Sequence, residues 1–418
     1  MNRYQEIIGR INYWLFLLVA FLLPFPQLPI RYACVAWIAC WLLEGRWLKR
    51  PMPVRQNMVA IPFILFGLWY VWQAVSFFWS SDRAAWGWLM ERYLTFLLIA
   101  PVGIWGVNTY YDWRQTGKAL VLGCVTAIPF YLLLMAALFN HPQWGQGIRL
   151  TEAFMTYDDW WTFFAENISF LKHRLFLCSV ELFGVVMAVQ LWHKQKWPLL
   201  LTLPVMLSII PLTASRQAVL TIMAMAAVGI ICMLPHMYRW WVGTGVLLLA
   251  LFVGGGMLML HPRMQQFELS DITRMREVST DHESRLNIWA LALDSPKDYR
   301  THGLGAGQST NYLVDKYTKK GFFCYASKRY NAHNQYLEQL MELGLPGLLF
   351  FILMWLSVPL CTSGKGRRTA WLFFTLYIFN MFTECMFGRF CGIALWAVGM
   401  LIILIQSDTE RRSWRHYQ

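Results

Sequence analysis

Runs of about 20 apolar residues, the length that crosses a hydrocarbon layer, recur along most of this chain and limit what it can fold into. In lipid no backbone N–H or C=O group can stay unpaired, so each spanning segment is either a helix or part of a closed barrel. A membrane barrel alternates apolar and polar residues over segments of about ten, and these runs do not alternate. Composition agrees: of 418 residues, 57% are hydrophobic and only 14% charged, against roughly 25% charged in a soluble protein. The chain reads as an all-α polytopic membrane protein.

About twelve spans are expected from length and apolarity. They cover residues 11–30, 32–45, 58–79, 89–109, 118–139, 174–193, 197–213, 217–236, 239–260, 345–361, 368–386 and 389–406. Cations crowd every second loop: Arg46, Lys49, Arg50 and Arg55, then Arg114 and Lys118, Lys194 and Lys196, Arg239, Lys365 with Arg367 and Arg368, and Arg411, Arg412 and Arg415. The opposite short loops hold Arg31, Arg83 and Arg389. The positive-inside rule then puts both termini in the cytoplasm. Two longer segments, 140–173 and 261–338, face the other side, which is the periplasm in a Gram-negative cell. Three parts follow: a bundle of spans one to nine at 1–260, a large helical periplasmic loop at 261–338 between spans nine and ten, and spans ten to twelve with a cytoplasmic tail at 339–418.

The net charge of +13 belongs to this topology and gives no reason to expect a nucleic-acid partner. The nine cysteines show no paired spacing of a disulfide framework. No small-residue cleavage site follows the first apolar run, so it reads as a retained span. There is no HExxH and no Cys/His spacing of a zinc site, so neither metal nor cofactor is expected.

The polar loop carries the chemistry-bearing residues, together with one short turn. Pro211-Leu212-Thr213-Ala214-Ser215-Arg216 joins two spans; Thr213 or Ser215 can cap the next helix, placing Arg216 in its first turn. The free N–H groups there favour an anion, and a guanidinium adds a planar fork suited to phosphate; alternatively Arg216 snorkels to lipid headgroups. Arg285 opens an amphipathic stretch with Asp281 as its cap and Leu286, Trp289, Ala290 and Leu293 as an apolar stripe. Taken alone, it is a solvated charge paired with Glu283 or Asp281. Gly303-Leu304-Gly305-Ala306-Gly307 lets backbone approach a phosphate or simply turns the chain. His333 lies in Asn331-Ala332-His333-Asn334-Gln335, where Asn331 can cap a short helix ending at Gly344. An imidazole so placed is suited to general-base work. Taken alone, it is a polar side chain at the membrane rim. Lys172 and Arg174 stand at the outer start of the sixth span, and Glu181 falls inside it, where an ionisable group is costly.

Together these residues resemble the O-antigen ligase family. The resemblance rests on Ser215-Arg216, Ser284-Arg285 and His333-Asn334-Gln335, with Leu343-Gly344-Leu345-Pro346-Gly347 beyond. Where some ligases have His-Asn-Glu, this chain has Gln335, and Glu338 stands one turn later. The resemblance implies an undecaprenyl-diphosphate-linked glycan donor, a sugar hydroxyl of lipid A core as acceptor, and inverting, metal-independent transfer at the periplasmic face of the inner membrane. His333 would be the base, and Arg216 and Arg285 would hold the diphosphate. Arg174, Lys172, Asn334 and Gln335 would contact substrate. A Wzy-type polymerase, whose acceptor is a second lipid-linked glycan, shares these features. A flippase of lipid-linked glycans is the alternative from another class; it would line a central cavity with intramembrane charges, for which Glu181 is the one strong candidate.

Overall fold

The computed structural model describes residues 3–45, 58–139, 168, 172–192, 196–213, 215–233, 245 and 285–415. These fold without strands into helices α1 (Arg3–Leu22), α2 (Gln27–Glu44), α3 (Ala60–Val75), α4 (Arg83–Trp105), α5 (Trp113–Phe139), α6 (Arg174–Trp192), α7 (Lys196–Leu207), α8 (Ile209–Thr213) and α9 (Arg216–Met233). After residue 284 come α10 (Arg285–Leu293), α11 (Ser309–Lys319), α12 (Phe323–Ser327), α13 (Gln335–Leu360), α14 (Gly364–Met381) and α15 (Phe390–Arg415).

Eight helical stretches among the described residues are long and apolar enough to cross a membrane: Arg3–Leu22, Ala60–Phe78, Arg83–Trp105, Trp113–Met135, Arg174–Trp192, Lys196–Thr213, Gln335–Leu360 and Phe390–Ser407. Arg216–Cys232 is a shorter apolar helix. Helices α2 and α14 occupy the expected spans at 32–45 and 368–386. α2 begins earlier than expected, at Gln27, and takes Pro29 into its first turn. Proline is tolerated there because the N–H it lacks has no intrahelical partner. The expected span 239–260 lies outside the described residues apart from position 245, as do the expected cap Asp281 and nearly all of the long segment at 140–173.

The chain divides into two units that interleave along the sequence. The first comprises Met1–Arg50, Val107–Ala226 and Ala394–Gln418; the second comprises Pro51–Gly106 and Ala227–Ile393. In the first, α1 pairs with α2 and α5, and α5 packs on α6 and α7. A buried polar knot fixes the register: Asn12 Nδ2 donates to the Trp37 carbonyl at 2.9 Å, the Tyr111 hydroxyl donates to Asn12 Oδ1 at 2.5 Å, and Trp37 Nε1 donates to that hydroxyl at 2.7 Å. Such bonds cost little to keep and much to break, since a buried unpaired polar group is expensive.

In the second unit, α3 and α4 form a hairpin whose turn ends at Asp82. Its carboxylate caps α4 by accepting from the N–H groups of Ala84 and Ala85, both at 3.0 Å. α3 and α14 pack against α13. The polar residues from 285 to 334 wrap their own small core of Ile288, Leu291, Ala292, Tyr299, Leu313, Tyr317, Tyr325, Ala332 and Met341. The buried face of α10 is therefore Ile288, Leu291 and Ala292; Leu293 and Ala290 are exposed. This corrects the expected stripe. A nine-residue helix that is apolar nearly all round has no unique apolar face, and the tyrosines it meets decide which side is covered.

Candidate active site

Helix α13 builds the site. It is capped by Asn334, whose side chain accepts from the N–H groups of Tyr336 at 3.0 Å and Leu337 at 3.1 Å. Asn331, the expected cap, instead accepts from the backbone N–H of His333 at 3.1 Å. His333 thus precedes the helix and is not in its first turn, and its φ of 43° is left-handed. Two asparagines in four residues both offered a cap; the one nearer the apolar run took it.

The helix breaks at Gly344, where φ is 68° and ψ is −170°, and then runs on to Leu360. The break frees carbonyls, and the polar segment uses them. Leu304 N–H donates to the Met341 carbonyl and Gly305 N–H to the Glu342 carbonyl, both at 2.9 Å, while Leu345 N–H donates to the Arg300 carbonyl at 2.8 Å. Glycine is required at this crossing: a Cβ on Gly344 would lie 2.6 Å from the Thr301 carbonyl oxygen, and one on Gly303 would lie 2.2 Å from that of Glu342.

The glycine-rich stretch is a junction. Gly303 N–H donates to the Tyr299 carbonyl, Ala306 N–H to Ser76 Oγ at 2.9 Å, and Gly307 N–H to Glu342 Oε1 at 3.0 Å. With Leu304 and Gly305 already engaged, all five N–H groups are spent on protein acceptors. The phosphate-approach reading of this stretch is overturned; it turns the chain, with Gln308 N–H returning to the Gly305 carbonyl at 3.2 Å, and its contacts fix that turn in place. Gln308 extends the junction to the α3–α4 turn, donating to Ser80 Oγ and to the Asp82 carbonyl, each at 2.8 Å. Asn311 Nδ2 donates to Asp82 Oδ2 at 3.0 Å. The N–H bonds from Ala85 first, then those from Asn311 and Ala84, hold the Asp82 carboxyl below its ordinary pKa.

At the start of α13, His333 Nδ1 lies 3.3 Å from Oε1 and 3.4 Å from Oε2 of Glu384, with side chains 18% and 7% exposed. Sequence reasoning missed Glu384. Its signal was present: a carboxylate at the end of an apolar run, on the side assigned to His333, is costly without a partner. The loop carrying it is tied back by Gln335, which accepts from Phe387 N–H at 2.8 Å and donates to Glu338 Oε2 at 2.8 Å. Asn334 and Gln335, expected at the substrate, are buried and have these structural partners.

Arg285 is the first described residue of α10. One turn later Trp289 Nε1 donates to the carbonyl of Ala332, the residue before His333, at 2.9 Å. The structure thus joins the helix of Arg285 to the segment of His333. Glu342, buried beneath, also accepts from Ser309 Oγ at 2.9 Å.

Arg216 belongs to the first unit, where it opens α9. Ser215 caps that helix, accepting from Ala218 N–H at 3.3 Å. Thr213 returns to the Ile209 carbonyl at 2.7 Å and meets Cys178 Sγ at 3.2 Å. Cys178 lies one turn after Arg174 on α6, and Thr213 ends α8 three residues before Arg216. Lys172 is buried, and its ammonium binds the carbonyls of Leu23 and Phe25. Glu181 is fully buried beside Cys124, and neither carboxylate oxygen is within hydrogen-bond geometry of a partner among the described residues. All nine cysteines are free, and no group of three or more His, Cys, Asp or Glu side chains among the described residues is arranged to hold a metal ion.

Residues 201–352 match the family model described as O-Antigen ligase, Wzy_C. The matched range contains Arg216, Arg285, His333, Asn334 and Gln335; Lys172, Arg174 and Glu384 lie outside it. No curated protein matches the chain.

Proposed function

We propose that this protein, a member of the O-antigen ligase family through residues 201–352, transfers a glycan from undecaprenyl diphosphate to a sugar hydroxyl of lipid A core. The reading has His333 accept the proton of the acceptor hydroxyl. The freed oxygen attacks the anomeric carbon, the bond from that carbon to the diphosphate breaks, and the lipid diphosphate departs with the electron pair. A single displacement of this kind inverts the anomeric centre. Arg216 and Arg285 neutralise the diphosphate as its charge grows, and Arg174 is a further cation for it in this reading. Two forked cations can supply the stabilisation often given by a divalent ion, which makes transfer in EDTA part of the proposal.

The observation that carries this reading is the contact between His333 and Glu384. A carboxylate on one ring nitrogen orients an imidazole so that the other nitrogen serves as base, and it stabilises the imidazolium that forms. The contact is long, as such contacts often are before substrate is in place. Glu384 is a positioning residue in this scheme. Losing one of the arginines should cost about 2.7–4 kcal/mol of transition-state stabilisation, by analogy with a lost oxyanion donor.

The test is the lipopolysaccharide profile of a deletion strain complemented with wild type or His333→Ala. Bare core together with polymer held on lipid diphosphate identifies a ligase. Core bearing a single repeat identifies the polymerase reading, in which the acceptor is another lipid-linked glycan. A wild-type ladder from His333→Ala at normal protein level removes the base assignment and favours the flippase.

A further inference from the structure

The six residues from Lys328 to His333 adopt a shape that side chains resist. Arg329 and His333, with φ of 49° and 43°, are the non-glycine residues with positive φ among the described residues. Left-handed backbone is costly for a residue with a Cβ and persists where its surroundings impose it. Here four hydrogen bonds impose it. Arg329 Nη2 donates to Asn311 Oδ1 at 2.6 Å, Tyr330 N–H to the Tyr325 carbonyl at 3.3 Å, Trp289 Nε1 to the Ala332 carbonyl at 2.9 Å, and His333 N–H to Asn331 Oδ1 at 3.1 Å.

The imposed shape brings the Tyr330 ring beside the imidazole. Their centroids are 6.0 Å apart at 61°, and both side chains are half-buried. The exposed ammonium of Lys328 stands 5.8 Å over the same ring. Neighbouring cations are matched to acids: Lys316 to Asp298, Lys319 to Asp315 and Lys320 to Asp294. Lys328 has no carboxylate partner among the described residues; its contacts are Tyr330 and Cys324.

We propose that Tyr330 and Lys328 form the acceptor subsite, and that the acceptor sugar carries an anionic substituent. This rests on the reading of His333 as the base. A base must touch the hydroxyl it deprotonates, so side chains against His333 meet the acceptor, while the diphosphate of the donor is held by arginines. An aromatic ring packs on the C–H face of a sugar and leaves its hydroxyls in water. An ammonium beside it selects a phosphate or carboxylate as a point charge.

The test uses the full chain in detergent and, as probe, lipid-free core oligosaccharide with and without its phosphate groups. Tyr330→Ala should weaken the Kd for phosphorylated core about tenfold, the scale of one lost stacking contact, and Tyr330→Phe should lose less. Lys328→Gln should erase the preference for the phosphorylated form, and Lys328→Glu should reverse it. Position 328 is exposed, so these two changes do not endanger folding. The proposal is overturned if wild type does not bind the core, if Lys328→Gln keeps the preference, or if Tyr330→Ala binds as wild type does at an unchanged Tm. An effect of Lys328→Gln seen only with phosphatidylglycerol vesicles assigns the cation to headgroups and overturns it too. His333→Ala, assayed in parallel, should bind core but not transfer; transfer by that variant sinks the base assignment while the binding series still decides the subsite.

Discussion

At the scale of single residues, the proposed reaction turns on the pairing of His333 with Glu384. Replacing His333 by Ala should lower the transfer rate about 10²- to 10⁴-fold, the usual contribution of a general base. Glu384→Gln keeps the shape of the side chain but removes its charge, so it should lower kcat by less than His333→Ala and change the pH profile of kcat. A Glu384→Gln enzyme with an unchanged rate and pH profile would show that the carboxylate only fills space. Glu181 is the residue at this scale that the proposed reaction leaves unused. A fully buried carboxylate with neither oxygen in hydrogen-bond geometry among the described residues is a cost the fold carries.

At the scale of elements, α13 is two helical runs joined by a glycine that no other residue replaces cheaply. Gly344→Ala meets both a φ of 68° and a clash 2.6 Å from the Thr301 carbonyl oxygen. The strained backbone alone is worth about 1–3 kcal/mol, and hydrogen exchange should show residues 300–305 opening together with the start of α13. Asn334→Ala removes the helix cap at a cost of about 1 kcal/mol; Asn334→Asp should recover most of it, since Asp caps as well as Asn. If Asn334→Ala left Tm unchanged but abolished binding of substrate, the asparagine would be a ligand contact first and a cap second.

At the scale of the whole molecule, two measurements bear on how the parts work in a membrane. Asp82 caps α4 and holds Asn311, and its pKa is lowered by those bonds. A lowered folded pKa means stability that is present above the unfolded value of about 3.9 and lost as pH falls through the folded one. Thermal stability should therefore drop at the acid end in wild type, and Asp82→Asn should flatten that limb; an identical acid limb in both proteins would exclude Asp82 as its source. Orientation is testable with native cysteines. Cys324 and Cys361 are both half-exposed and stand before and after α13, a span of 26 residues. In intact cells an impermeant maleimide should label Cys324, and should reach Cys361 only after permeabilisation. The reverse pattern would invert the topology read from the Lys/Arg bias.

The sequence by itself determined the helical, membrane-spanning class, because the cost of an unpaired backbone in lipid is the same wherever the segment packs. It also made two local features legible, a helical stretch at Arg285 and the end of the first run of α13 at Gly344; His333, expected inside the first turn, stands just ahead of the helix instead. Tertiary structure decided what depends on neighbours distant along the chain. Which face of α10 is buried, and where the N–H groups of the glycine-rich stretch are spent, follow from Tyr299, Met341, Ser76 and Glu342. The partner of His333 lies 51 residues away, beyond any helical or strand period. Local patterns fix hydrogen bonds within a turn or two; a carboxylate brought in from the connection between α14 and α15 becomes visible only when the helices have packed.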